Sequence, residues 1–263
     1  LFPTTTYHYN SGGDPATIPT LSYEQLLEFY KRHYHPSNAV FMTYGDIPAI
    51  ELQERFENEV LKNFTALSEQ ITGHDEVRYQ EPQYAEASFA LDEEESASKT
   101  HLMMAWLLGK TANLKERFES ELLSGVLLEN SASPLRHYLE TSGLGQAPSP
   151  YVGVDDSSRE LTFLCGIEGS EPEQRDAFEK GVLEVLQKVA VEGVPLADVE
   201  AVLHQLEFSR REISGDGMPY GLQLILGGLG AVLHDGDPVA LWDIDAVLIE
   251  LREAIKDPNY IPS

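Results

Sequence analysis

Leu161-Thr162-Phe163-Leu164-Cys165-Gly166-Ile167, followed by Ser170-Glu171-Pro172-Glu173, is the stretch on which the architecture turns. Leu161, Phe163, Cys165 and Ile167 recur every second residue, the period of a strand with one apolar face. Ser170-x-x-Glu173 with Pro172 has the form of a capping box. It predicts a long helix carrying Phe178, Val182, Val185, Leu186 and Val189. Pro195 restarts a further helix with Val199, Val202, Leu203 and Leu206 on its apolar side. The preceding stretch has the same grammar. Thr100 to Leu108 reads as a buried strand, and Ala87, Phe89 and Leu91 alternate as an earlier one. The two are close enough to pair antiparallel across Asp92-Glu93-Glu94-Glu95. Asn113-x-x-Glu116 opens a helix with Leu122, Val126 and Leu127. Another helix runs from Ser133-Pro134 to Ser142-Gly143, and Tyr151–Val154 is a strand after the Pro148/Pro150 break. Strand-strand-helix-helix, twice over, predicts an α+β fold, an antiparallel sheet with helices packed on one face. Its expected core includes Phe89, Leu107, Phe163, Cys165, Val182 and Leu186.

Upstream, Asn10-Ser11-Gly12-Gly13-Asp14-Pro15 reads as a loop. Ser22-x-x-Gln25 is a capping box for a helix with Leu26, Leu27 and Tyr30 on one side, ending near His33. Ala39 to Tyr44 is a short apolar run closed by Gly45-Asp46, read as a buried strand. A helix from Ile47 to Phe64 follows, with Ile50, Leu52, Phe56 and Val60 as its apolar members. Residues 65–83 lose all periodicity and read as a linker. Residues 84–235 form the second unit, and beyond Gly215-Asp216-Gly217 lies a mainly helical tail, roughly 219–256. Residues 236–263 read as the start of a further linker.

Composition bounds the function classes. The 263 residues carry 18 Lys or Arg against 44 Asp or Glu, a net charge of −26. Such acidity repels a phosphate backbone and argues against nucleic acid as a partner. With 42% hydrophobic and 24% charged residues the chain has the makeup of a folded globular protein. No apolar run approaches the ~20 residues that cross a bilayer. The single cysteine, Cys165, excludes an internal disulfide. The chain opens at Leu1 rather than Met, which fits an excised stretch, a processed product or part of a longer chain.

Eight histidines make a metal site the first chemistry to weigh. His33-x-His35 straddles a helix end before Pro36 and reads as a cap and turn, because a zinc site needs further ligands. His137-x-x-Glu140 begins like an inverted zincin motif, but Thr141 stands where its second histidine belongs. Glu200, His204 and Glu207 share a helical face, read as solvated. His234-Asp235-Gly236-Asp237-Pro238 reads as a turn, and Asp92 to Glu95 as a solvated one. Cys165, mid-strand, reads as a small hydrophobe. Gly227-Gly228-Leu229-Gly230 lies within an apolar helix rather than between strand and helix, and reads as close helix packing.

Three motifs in order, Asn10-Ser11-Gly12-Gly13-Asp14-Pro15, His33-Tyr34-His35-Pro36-Ser37-Asn38-Ala39 and Tyr44-Gly45-Asp46, resemble the insulinase-like (pitrilysin family) zinc metallopeptidases, in particular their presequence protease branch. Weaker similarity continues through Ser133-Pro134-Leu135-Arg136, Gly143-Leu144-Gly145 and Gly227–Asp237. The resemblance implies that Asn10 to Pro15, His33, Tyr34, His35, Pro36, Asn38, Gly45, Asp46 and Arg136 are structural motif positions. It implies that residues 1–64 are the C-terminal part of a catalytic-type first domain and that the rest is a second, non-catalytic domain. The family holds its zinc on H-x-x-E-H plus a downstream glutamate, none of which can be placed here. Zinc is thus expected in the complete parent enzyme and not in this chain, and no catalytic or metal residue is carried over. The implied function is that of a fragment of a zinc metalloendopeptidase degrading short unfolded peptides, walling its chamber beside the remaining domains. The alternative is a non-catalytic binding or scaffold subunit. The acidity would favour basic peptides, or serve solubility alone.

Overall fold

The alternation at Leu161 to Ile167 lies at the centre of the sheet. In this computed structural model, which describes residues 1–69, 71–92, 97–213 and 217–262, strand β1 is Thr100–Lys110, β2 Ala147–Pro148, β3 Gly153–Asp155 and β4 Glu160–Ser170. β4 pairs antiparallel with all three, β1 on one side and β2 and β3 on the other. Among the described residues the helices are α1 (Tyr23–His33), α2 (Ala49–Glu59), α3 (Leu114–Leu128), α4 (Pro134–Thr141), α5 (Arg175–Glu192), α6 (Leu196–Arg211), α7 (Tyr220–Leu233) and α8 (Ile244–Ala254).

Two apolar clusters result. In the first, Leu102, Phe163, Cys165 and Ile167 of the sheet meet Leu127 and Leu128 of α3, Leu135 and Leu139 of α4, and Phe178, Val182 and Val189 of α5. Leu186 packs on its margin, and Trp106 lies with its ring centroid 5.8 Å from that of Phe163. In the second, Phe118, Leu122 and Val126 of α3 meet Val199 and Leu203 of α6 and Leu248 and Leu251 of α8. α3 serves both, which is why its apolar residues surround it instead of forming one stripe. Gly125 lets α6 approach, since a Cβ there would lie 2.4 Å from Val202 Cγ1.

Several local expectations are corrected. Residues 39–44 join no ladder among the described residues, and Val40 and Phe41 are exposed. An apolar run becomes a buried strand only when a second strand takes its backbone groups. Residues 87–91 are likewise unladdered, and β1 pairs with β4 instead of with them. Phe89 is 59% exposed rather than in the core, and Leu107 is only partly buried. Glu93, Glu94 and Glu95 of the expected acidic turn lie outside the described residues, as do Gly215 and Asp216. Ser170 ends β4, and its hydroxyl donates to the Leu144 carbonyl (2.5 Å) instead of capping a helix. A single 3-10 turn, Pro172–Gln174, therefore intervenes before α5. The helix expected over 47–64 ends at Glu59 and is followed by a 3-10 turn, Leu61–Asn63.

Candidate functional site

The motif positions hold local backbone shape. Asn10 accepts the Gly12 amide through its side chain (3.0 Å), and Gly13 turns with φ +81°. Asp14 accepts the Ala16 amide and the Thr17 hydroxyl (3.0 and 2.6 Å), which lower its pKa. Pro15 follows within the same turn. His33, in the last turn of α1, stacks on Phe29 (4.1 Å), and Tyr34 stacks on Tyr30 (5.3 Å). His35 Nδ1 accepts the Ser37 amide (3.1 Å), opening the 3-10 turn Pro36–Asn38. The Asn38 side chain donates to the Arg32 carbonyl (2.8 Å) and closes the end of α1. Gly45-Asp46 forms the bend before α2, and Gly45 adopts φ +149°. Arg136 pairs with Glu140 one turn along α4 (2.6 Å). Ser11 lies exposed in the first turn. The partners named here lie within six residues of each motif position along the chain.

The other candidates separate as well. His137 Nδ1 lies 3.3 Å from the Ser131 carbonyl and faces no partner histidine. Glu200 and His204 are exposed, whereas Glu207 bridges α6 to α8 by pairing with Arg211 (2.9 Å) and Arg252. Glu207 thus corrects the solvated reading of that face. Cys165 is fully buried, and burial pushes its thiol up to about 12, far from nucleophilic use. Gly228 packs against Pro238 and Trp242 and Gly230 against Thr111, while Gly227 faces open space. Among the described residues no group of three or more His, Cys, Asp or Glu is placed to hold a metal ion. The donor set present does not fit a catalytic zinc.

What the fold does assemble is a polar junction that lies largely in the expected linker. The Glu76 carboxylate is buried and accepts the Thr4 amide (3.1 Å to Oε2), the Thr4 hydroxyl (2.6 Å), the Thr5 amide (3.3 Å) and the Val77 amide (2.7 Å). Burial by itself would raise its pKa, but these donors outweigh burial and hold it at about 2. Its own amide donates to Glu160 Oε2 (2.7 Å), and Glu160, buried at the start of β4, pairs through Oε1 with Arg78 (2.8 Å). Arg78 also donates to the carbonyls of Leu107 and Leu108 in β1. Asp75 accepts from Lys110 (2.7 Å) and Arg159 (2.8 Å), which hold it at about 2. The Arg159 amide donates to the Tyr7 hydroxyl (3.0 Å), which lies 3.3 Å from His234 Nε2. Burial, then the Arg159 charge, lowers the His234 pKa. His234 is therefore more than a turn residue.

Every carboxylate in this cluster is already committed to a donor, and no nucleophile stands beside a free base. Its chemistry is that of a tie between the first residues, residues 75–78, the sheet and the end of α7. The sequence signal for it was slight: Asp75-Glu76-x-Arg78 in an aperiodic stretch, and an acid beginning an apolar strand.

The other notable surface is apolar. Leu26, Phe29 and Tyr30 of α1 and Ile50 of α2 are exposed, and neither helix buries a residue. No helix among the described residues is long and apolar enough to cross a membrane.

Comparison with known proteins is consistent with this arrangement. The peptidase M16 inactive domain family matches residues 20–206. The mitochondrial presequence protease of Xenopus tropicalis is 32% identical over 267 residues, covering 99% of this chain and 25% of that protein. Presequence protease 1, chloroplastic/mitochondrial, of Arabidopsis thaliana is 33% identical over 244 residues, covering 90% of this chain and 22% of that protein. The chain thus spans about a quarter of the length of these relatives. Among solved structures, a protease from Helicobacter pylori shares the fold with a TM-score of 0.65 at 16% identity, over 97% of this chain and 59% of that one. With the family match running from α1 into α6, and no donor set for a metal among its described residues, the chain belongs to the peptidase M16 inactive domain family of the pitrilysin- and insulinase-like zinc peptidases.

Proposed function

We propose that this chain serves as the zinc-free part of a presequence-protease-like metalloendopeptidase that degrades short unfolded peptides. It walls the chamber and packs against the remaining domains, and the zinc is held elsewhere in the parent. In this reading residues 1–64 complete the catalytic-type first domain, residues 65–83 link it to the non-catalytic domain of 84–235, and residues 236–263 begin the linker to the other half. The observation that carries the reading is the exposed apolar side of α1 and α2, where Leu26, Phe29 and Ile50 stand in solvent. An amphipathic helix whose apolar side is largely exposed offers a packing face, and the additional length of the relatives supplies candidates to cover it. The net charge of −26 suits basic peptides among the substrates.

The test uses the complete parent enzyme. Leu26→Glu with Phe29→Glu should lower kcat/KM for a short unfolded peptide at least about tenfold, as expected for loss of a buried interface. Bound zinc should be retained. Unchanged cleavage would sink the packing role, and a parent with neither zinc nor peptidase activity would leave a scaffold subunit.

A further inference from the structure

Among the described residues the outward edge of β1 has no strand on it. Ser149 and Gln146 donate to the carbonyls of Gly166 and Glu168, so those residues turn their backbone groups toward the β2 side. Phe163, Cys165 and Ile167 must then face β1 and bond their ladder partners Trp106, Met104 and Leu102. By alternation Met103, Ala105 and Leu107 point their amides and carbonyls away from β4. At the Leu107 end of this edge Arg78 donates to the carbonyls of Leu107 and Leu108 and pairs with Glu160. Among the described residues no other backbone group bonds the outward side of Met103 or Ala105.

Residues 84–91, Tyr-Ala-Glu-Ala-Ser-Phe-Ala-Leu, belong to no helix or ladder yet are fastened beside this edge. Before them, Arg78 holds the carbonyls of Leu107 and Leu108 at the far end of β1. After them, Ser98 donates its amide to Glu171 (2.6 Å) next to the near end. Between these, Phe89 meets His101 edge-on (5.8 Å), and Tyr84 donates to Glu179 of α5 (2.9 Å). An eight-residue strand spans about 26 Å, which matches residues 99–106 at the same rise. Ala85, Ala87, Phe89 and Leu91 alternate with the other residues and supply one small-to-large apolar face.

We propose that residues 84–91 are a strap that closes onto the outward edge of β1 as a fifth, antiparallel strand, so that the sheet exchanges between an edge-open and an edge-closed state. Phe89 beside His101 sets the register at 89 opposite 101, 87 opposite 103 and 85 opposite 105. The strap's apolar residues then lie beside Met103 and Ala105 on the sheet face away from the helices. The tether raises the strap's local concentration to roughly the millimolar range, ahead of any free peptide at lower concentration. Closure also removes an exposed edge that would otherwise template pairing with other chains.

Site-resolved amide exchange on the intact chain tests this at two protein concentrations. The amides of Met103 and Ala105 should exchange at least about tenfold more slowly than in an Ala87→Pro variant, which removes a donor from the middle of the strap. The amides of Leu102 and Met104, bonded to β4, report that the variant remains folded. If they lose protection, Phe89→Asp, at an exposed position, replaces it with the same expected outcome. Outward amides that exchange at unprotected rates in the unsubstituted chain overturn the proposal, as does protection unaffected by the folded variant. Protection that grows with protein concentration overturns it too, assigning the edge to a second copy.

Discussion

Helices α1 and α5 both carry apolar residues at helical spacing, and they end in different surroundings. α5 sets Phe178, Val182 and Val189 into the sheet-facing cluster, where Phe178 and Val182 are at most 2% exposed. α1 has a full capping box, with Ser22 and Gln25 exchanging hydrogen bonds of 3.2 and 2.8 Å, and three basic residues in its last turn. Its Phe29 is nevertheless 54% exposed. Good helix ends and a good stripe make a helix that is ready to pack, and burial still needs a facing surface. For α5 the sheet supplies that surface; on α1 and α2 only part of the apolar side is covered, as where Phe56 meets Phe41 (4.9 Å), and Leu26, Phe29 and Ile50 stay exposed.

The largest expected effect bears directly on that contrast. Phe163→Ala should destabilise the chain by about 3–5 kcal/mol through lost transfer energy and a residual cavity. Phe29→Ala should stay within about 0.5 kcal/mol, as surface changes do. Chemical denaturation measures both, and equal losses would mean that α1 is packed within this chain after all.

A finer contrast uses two helical glycines. Gly125→Ala pushes a methyl against Val202 where α3 meets α6 and should cost about 1–3 kcal/mol. Gly227→Ala meets nothing within 4 Å and should instead gain about 0.5–1 kcal/mol from helix propensity. Thermal unfolding should therefore shift in opposite directions. Two losses would show that α7 is covered at Gly227.

The smallest effect concerns the junction that ties the two regions. Glu76 and Asp75 are both held at about 2, below the ordinary 4.5 and 3.8. A carboxylate with a lowered folded pKa contributes stability that is full above its ordinary value and is lost as pH falls through the folded one. The amides of Thr4 and Thr5 should therefore lose exchange protection between about pH 4.5 and 2, while the core amides of α3 hold. Glu76→Gln should flatten that dependence. A Thr4 profile unchanged by the substitution would mean that the first residues are held by something other than Glu76.

The fold class was legible because it rests on short-range periods. Leu161, Phe163, Cys165 and Ile167 alternate, and all four are buried. Helices α3 to α6 occur near their expected bounds because capping residues and prolines act on the backbone within a few positions. Strand partnership was less legible. The spacing of 87–91 from 100–108 suggested a hairpin, yet the ladder joins β1 to β4, some sixty residues later, since pairing depends on which backbone groups meet in space. The junction was hidden for a similar reason: Asp75, Glu76 and Arg78 find Lys110, Arg159 and Glu160 only once the sheet has formed.

The sequence by itself determined the α+β class, the helix starts, the apolar face of β4, the acidity and the missing H-x-x-E-H, because each is a property of neighbouring residues or of their sum. Tertiary structure alone decided that β4 pairs with β1, that α3 serves two clusters, that Glu76 becomes a buried acceptor of four donors, and that Leu26, Phe29 and Ile50 on α1 and α2 stay exposed. Those outcomes depend on contacts between distant residues, whose energies come from burial and from completed hydrogen bonds that no local pattern encodes.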